Sequence, residues 1–190
     1  MPDHIFTYGS LVDVERLGEF LGRSIKPEGW RVAQLRGFRR CWNVAMDNRI
    51  DLPGYKYYVE RESGVRPEVF VTFLNIRPLA TDRVNGVLFR VESSELLGID
   101  KRERNYTRID VAEFFDADVD GPVWAYQGSP DALERYARAR TTETAVIDAD
   151  YHRQVLAAFR NLGEDAMKDF ERTTDPSSTP TRRLRRMRIP

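Results

Sequence analysis

The alternation of apolar and polar positions opens with a short strand. Residues 4–8, HIFTY, favour an extended chain, and directly afterwards Leu11, Val14, Leu17 and Leu21 recur at helical spacing and form one apolar face. Ser10 is the expected N-cap of that helix and Gly22 its stop. β-Branched and aromatic runs bounded by Gly, Pro, Asn and Asp predict further strands over 32–45 with a break near Gly37, and over 68–75, 84–91, 106–116 and 123–126. The turn-rich stretch 47–67 between two of them reads as a lid or site-lining loop. Three more helices follow from their caps. Ser93 precedes SELLGIDKRER, Ser129 and Pro130 open DALERYARAR, and Asp148 or Asp150 opens one long helix whose buried side carries Tyr151, Val155, Phe159, Leu162 and Phe170.

Strands and helices are mixed without the steady alternation of a doubly wound sheet. The predicted class is α+β, a small mixed β-sheet or barrel with helices packed around it. At 190 residues the chain suits one domain, placed at 1–174. Beyond Thr174 the composition turns Pro- and Arg-rich, and 175–190 reads either as a tail lying across the surface or as a disordered end.

Composition narrows the chemistry. Ten Phe, eight Tyr and three Trp are more than a disordered chain carries. Thirty basic residues cancel thirty acidic ones, so overall charge does not call for nucleic acid or an anionic membrane. Locally the balance is uneven: 110–120 holds five acids, the last ten residues hold five arginines, and a weak contact between the two stretches is compatible with the sequence. One cysteine, Cys41, excludes an intrachain disulfide, and with only His4 and His152 a zinc site is poorly supplied. No metal and no cofactor are expected, and the dinucleotide and P-loop glycine fingerprints are absent. Without a leader-like N-terminus or an apolar run of ~20 residues, the expectation is a cytoplasmic protein.

Two local features carry candidate chemistry. In the helix after Ser93, Leu96 and Ile99 set the inward face, and Glu103 falls four residues beyond Ile99 on the same stripe. Its carboxylate either reaches water and Arg102, Arg104 or Arg108 at the fraying helix end, or sits in a partly apolar pocket where it can take and return a proton. The second feature is the corner at Tyr8-Gly9-Ser10. It is either a plain strand-to-helix turn or a place where a ligand approaches bare backbone next to the unpaired amides that open a helix.

Together, TYGSL at this corner and LLGIDKRERNYTRIDV some ninety residues later resemble the γ-glutamylcyclotransferase-like family, with its AIG2-like and ChaC-like branches. In that family a Tyr-Gly-Ser loop binds the γ-glutamyl group through its main chain, and the Glu of an Asp-x-x-Glu segment is the acid-base residue. The resemblance assigns Tyr8, Gly9, Ser10 and Leu11 to the loop, Glu103 after Asp100 to catalysis, and Tyr106 to the aromatic that follows. QLRGFRRCWNVA looks like the family's Gly-aromatic-x-Arg strand. It puts Arg39 or Arg40 and Trp42 near the site, with Arg39 as a substrate-binding residue, and VNGVLFRV resembles the strand leading to the catalytic helix. The similarity covers residues 5 to about 126. Arg104 stands where the family commonly has Gly, the ChaC-like His-Gly pattern near the C-terminus is missing, and the helix from Tyr151 with its Arg-rich tail has no match in the smallest members.

The resemblance implies cleavage of a γ-glutamyl amide by the substrate's own α-amine, releasing 5-oxoproline and an amine or amino acid. The partner would be a small γ-glutamyl substrate, acting on a monomer or homodimer. A covalent route through Cys41 or Ser10 ranks below this, since neither His4 nor His152 stands near either one in sequence. The rival classes are a non-catalytic binding or regulatory module on the same fold, and a nucleic-acid or partner-binding role for Arg182 to Arg188, which the neutral overall charge makes the poorer one.

Overall fold

The computed structural model describes residues 2–115 and 119–190. Strand β1 (Asp3–Thr7) leads through a 3-10 turn (Ser10–Val12) into helix α1 (Val14–Leu21). Next come β2 (Trp30–Asp47), β3 (Lys56–Glu60), β4 (Phe70–Val91), α2 (Ser93–Arg102), β5 (Tyr106–Asp110) and β6 (Val123–Gly128). The chain closes with α3 (Pro130–Thr141), β7 (Ala145–Asp148), α4 (Ala149–Asn161), α5 (Glu164–Arg172), β8 (Thr181–Arg182) and β9 (Leu184–Arg188). The predicted α+β class holds: a mixed sheet runs β5-β6-β1-β4-β7-β8, with β2 also on β4 and helices around it. β3 and β9 form a separate antiparallel pair.

The framework is the long antiparallel pairing of β2 with β4. The stretches expected as separate strands at 68–75 and 84–91 are halves of this one strand. Its first seven residues are buried without alternation, and the polar segment around Arg77 and Asp82 that reads as a loop is only its exposed middle. Opposite that middle, Gly37 takes a φ of +76° and the register shifts between Arg36 and Phe38. Such a bulge bends the strand, and glycine adopts the left-handed backbone at little cost. β1 pairs antiparallel with β4 and parallel with β6, which places its C-terminal end in the middle of the sheet.

Several boundaries differ from expectation. Asp13, not Ser10, caps α1 by accepting the amide of Arg16, because Ser10 is taken into the 3-10 turn. Glu92 caps α2 in a reciprocal capping box with Glu95, and the Ser93 hydroxyl donates instead to Asp3 Oδ2 at 2.7 Å. The single long helix is two. Gly163, at φ +116°, turns the chain so that α5 folds back on α4 and Phe159 meets Phe170 with ring centroids 4.4 Å apart. The strand expected at 106–116 ends at Asp110, and Asp116 lies outside the described residues, as does Asp118 of the acidic stretch.

The segment 47–67 contains β3, and 175–190 contains β8 and β9. β9 is held against β3 from Lys56–Arg188 to Glu60–Leu184, and Leu184 is fully buried. Its arginines therefore have fixed positions, and Arg182 and Arg183 pair with Glu60 and Glu62 rather than with the acidic stretch. No described helix is long and apolar enough to cross a membrane.

Candidate active site

Where β1 ends, the Thr7 hydroxyl donates to the carbonyl of Leu11 at 3.1 Å and folds the following loop back on the strand. The amide of Val12 reaches the Gly9 carbonyl at 3.1 Å and closes the 3-10 turn. Tyr8 is buried, and its hydroxyl donates to the carbonyl of Tyr126 on β6. From the other side Arg40 of β2, fully buried, donates through Nε to the Tyr8 carbonyl at 2.9 Å. Its remaining nitrogens bond Asn85 and the hydroxyls of Thr173 and Thr174, and the rings of Phe159 and Phe170 flank it. Burial lowers the guanidinium to about 9, which leaves it charged at neutral pH. One cation thus ties the corner loop to β4 and to the end of α5.

Glu103 sits where α2 ends. Its amide donates to Ile99 at 2.9 Å and its carbonyl accepts the amide of Tyr106 at 2.9 Å, so the chain enters β5 with the carboxylate facing inward. The side chain is 19% exposed and meets Arg102 Nε at 3.1 Å. It pairs with Arg102 at a helix end and also faces a cavity. That cavity, of about 90 Å³, is bounded by Tyr8, Gly9, Ser10 and Leu11 on one side and by Glu103 and Tyr106 on the other. A Cβ added at Gly9 would lie 3.6 Å from the Tyr151 hydroxyl and 3.7 Å from Leu74, so the bare backbone there leaves the cavity open.

Tyr55, Lys56, Tyr126 and Tyr151 also line the cavity, together with Phe73, Leu74, Arg102 and Asn105. Burial pushes every tyrosine of this ring up, Tyr8 and Tyr106 most plainly, so each is a neutral phenol at pH 7. Tyr106 donates to the Leu74 carbonyl at 2.7 Å, and Tyr126 donates to Asp100 Oδ1 at 2.5 Å, which Arg108 holds at 3.1 Å from the other oxygen. The Lys56 ammonium stands over Phe73, 4.1 Å from the ring centroid, and burial pushes it down to about 7.

Arg39 is not at this cavity, contrary to expectation. It projects from the opposite face of β2 and pairs with Asp82 and Asp175. The neighbouring Arg40 faces inward instead, and it works from behind the loop. Cys41, buried and pushed up to about 12, does not line the cavity either. His152 packs against Trp42 at 5.4 Å between ring centroids, outside the cavity. Ser10 lines the cavity with no histidine beside it. Among the described residues no group of His, Cys, Asp or Glu is arranged to hold a metal ion.

A structure of a gamma-glutamyl cyclotransferase superposes on 94% of this chain and 90% of its own, with a TM-score of 0.54 at 14% identity. The chain has the γ-glutamyl cyclotransferase-like fold. YkqA from Bacillus subtilis matches 90% of the chain over 53% of its own length, with a TM-score of 0.52 at 16% identity. The uncharacterized protein loc79017 from Homo sapiens matches 92% of the chain and 89% of its own, with a TM-score of 0.50 at 15% identity. By sequence, no family model and no curated protein matches. At these identities the likeness speaks for the fold, and any activity has to be argued from the site.

Within the cyclotransferase-like fold, the lining residues that sequence reasoning missed include Tyr55, Lys56, Tyr126 and Tyr151. Tyr126 and Tyr151 were visible as strand and helix residues, yet their convergence depends on β6 lying beside β1 and α4 crossing the corner loop. Tyr55 and Lys56 fall in a stretch whose Pro53 and Gly54 mask a strand. The run YKYY, apolar but carrying a lysine, was the available signal.

Proposed function

We propose that this protein is a γ-glutamylcyclotransferase-type enzyme. One observation carries the reading: the Tyr8–Leu11 loop and the Glu103 carboxylate, distant in sequence, bound one small cavity. A γ-glutamyl group bent so that its α-amine meets its γ-carbonyl carries both reactants itself. The protein then has only to hold that conformer, and aligned intramolecular reactions reach effective molarities of ~10⁵ M or more. Glu103 accepts a proton from the α-ammonium, the freed amine attacks the γ-carbonyl, and the same carboxyl returns that proton to the departing nitrogen as the C–N bond breaks. It then takes the second proton from the ring nitrogen to leave a neutral lactam. The products are 5-oxoproline and the amine. Main-chain amides at the start of the 3-10 turn, which have no partner within it, support the substrate's carboxylate or the developing oxyanion. The neutral tyrosines exclude water while donating hydrogen bonds.

The test is release of 5-oxoproline from a panel of γ-glutamyl dipeptides, glutathione and γ-glutamyl-ε-lysine. Glu103→Gln should lose about 10²-fold or more in kcat, in keeping with loss of a general acid-base. A variant as active as the parent would remove Glu103 from the mechanism, and binding without turnover in the parent would favour a non-catalytic module.

A further inference from the structure

Beside the inner cavity lies a vestibule of about 540 Å³, and Ser10, Lys56, Phe73, Arg102 and Tyr151 line both. Its walls carry six cationic side chains against three carboxylates. Most of the partners are already engaged. Arg61 pairs with Asp150, Arg102 pairs with Glu103 of the inner cavity, and Arg16 donates to Gln154 Oε1 at 2.5 Å. Asp148 accepts the amides of Asp150 and Tyr151 at the start of α4. Lys56, Arg185 and Arg186 form no ion pair with any described residue, and Glu19 on α1 is the remaining acid on these walls. With Glu103 counted against Arg102, the lining keeps an excess of one to two positive charges at neutral pH, since burial leaves Lys56 only partly protonated.

The arrangement is built rather than incidental. Arg186 pairs across from Tyr58, two residues from Lys56, so alternation puts Arg186 on the same face as Lys56. The fully buried Leu184 anchors the strand that holds it. Lys56 is desolvated over the rings of Phe73 and Tyr55; Glu103 and Asp148 favour its charged form from a distance, but neither makes an ion pair with it. Burying a charge unpaired is unfavourable, and a bound carboxylate would relieve it.

We propose that the vestibule is the subsite for the leaving half of the substrate and selects one with two or more negative charges, such as an acidic amino acid, through Lys56 and Arg186. This rests on the cyclotransferase reading of the inner cavity. A neutral or cationic leaving half would meet the same excess of positive charge without compensating it.

The test compares γ-glutamylglutamate with γ-glutamylglutamine, which differ by one charge at nearly equal size. The acid should be favoured about tenfold or more in kcat/KM, mostly through KM, as expected for charge-assisted hydrogen bonds. That ratio should fall toward one in Lys56→Met and in Arg186→Gln and recover in Arg186→Lys. Equal use of the two substrates, or variants that slow both by the same factor, would overturn the subsite while leaving the cyclotransferase reading intact. If neither substrate yields 5-oxoproline, that reading fails and the subsite is read separately by acylation of Lys56, followed by mass spectrometry. N-Acetylglutamate should then protect Lys56 at concentrations where N-acetylglutamine does not, and equal labelling would overturn the proposal.

Discussion

Replacing Arg40 with Lys tests whether the corner loop is held by a planar fork or merely by a buried charge. The guanidinium serves acceptors in three directions: Nε bonds the Tyr8 carbonyl at 2.9 Å, Nη1 the hydroxyls of Thr173 and Thr174 at 3.2 and 3.0 Å, and Nη2 the side chain of Asn85 at 3.1 Å together with its carbonyl. A lysine ammonium is a single point and can satisfy one of these directions. The threonine hydroxyls keep their own bonds to Asp169 and Phe170, so their loss is the mildest. The carbonyls of Tyr8 and Asn85 are the acceptors at risk. Leaving both buried and unpaired costs about 1–3 kcal/mol each, so Arg40→Lys should lose ~2–6 kcal/mol. For a chain of this size that corresponds to a fall in Tm of ~4–24 °C. Urea and thermal unfolding would measure the loss. 5-Oxoproline kinetics below the new Tm should show a raised KM, because the released carbonyl belongs to the loop that lines the cavity. A variant within 1 kcal/mol of the parent and unchanged in KM would refute the assignment of Arg40 as the positioning residue of the loop.

Other expectations follow from single distances. Gly9→Ala should fold with near-parental Tm, since its Cβ meets only ordinary contacts at 3.6 and 3.7 Å, but it should raise KM about tenfold by entering the cavity. Gly86→Ala should be destabilised by about 3 kcal/mol, because its Cβ would lie 2.2 Å from the Thr7 carbonyl oxygen and 2.7 Å from the Phe6 ring. Burial pushes Cys41 up to about 12, so the native thiol should resist iodoacetamide at pH 8 and react only on unfolding; rapid labelling would contradict its burial. Lys56 is pushed down to about 7 from 10.5, so the unfolded chain binds more protons between those values and stability gained from this group rises with pH there. The stability difference between parent and Lys56→Met should therefore move in the parent's favour from pH 7 to pH 10.5, and a flat difference would show that Lys56 is not desolvated.

The pattern of the chain made some features of the site legible and concealed others for specific reasons. Glu103 was recoverable because helical period is local: Leu96 and Ile99 declare the buried stripe of α2, and four residues further on the carboxylate falls on it. Choosing between Arg39 and Arg40 was a different problem. Adjacent strand residues face opposite ways, and the register shifts at Arg36/Phe38 and Trp42/Val44 upset any count carried along β2. The pairing that turns the C-terminal arginines into an ordered strand was equally hidden, because β9 has little apolar alternation of its own and is held by its partner β3 and by Leu184.

By itself the sequence determined what short-range physics controls: the α+β class, the glycine corner after β1, the place of Glu103 on the apolar stripe of α2, and the lack of residues for an intrachain disulfide or a thiolate metal cluster. Only the tertiary structure decided that Tyr55, Tyr126 and Tyr151 close the cavity, that Arg40 rather than Arg39 braces the loop, and that Arg186 stands beside Lys56. Each of these depends on strand register and on the crossing of elements far apart in the chain. Side-chain period determines which residues share a face, but long-range hydrogen bonds and packing determine which faces meet.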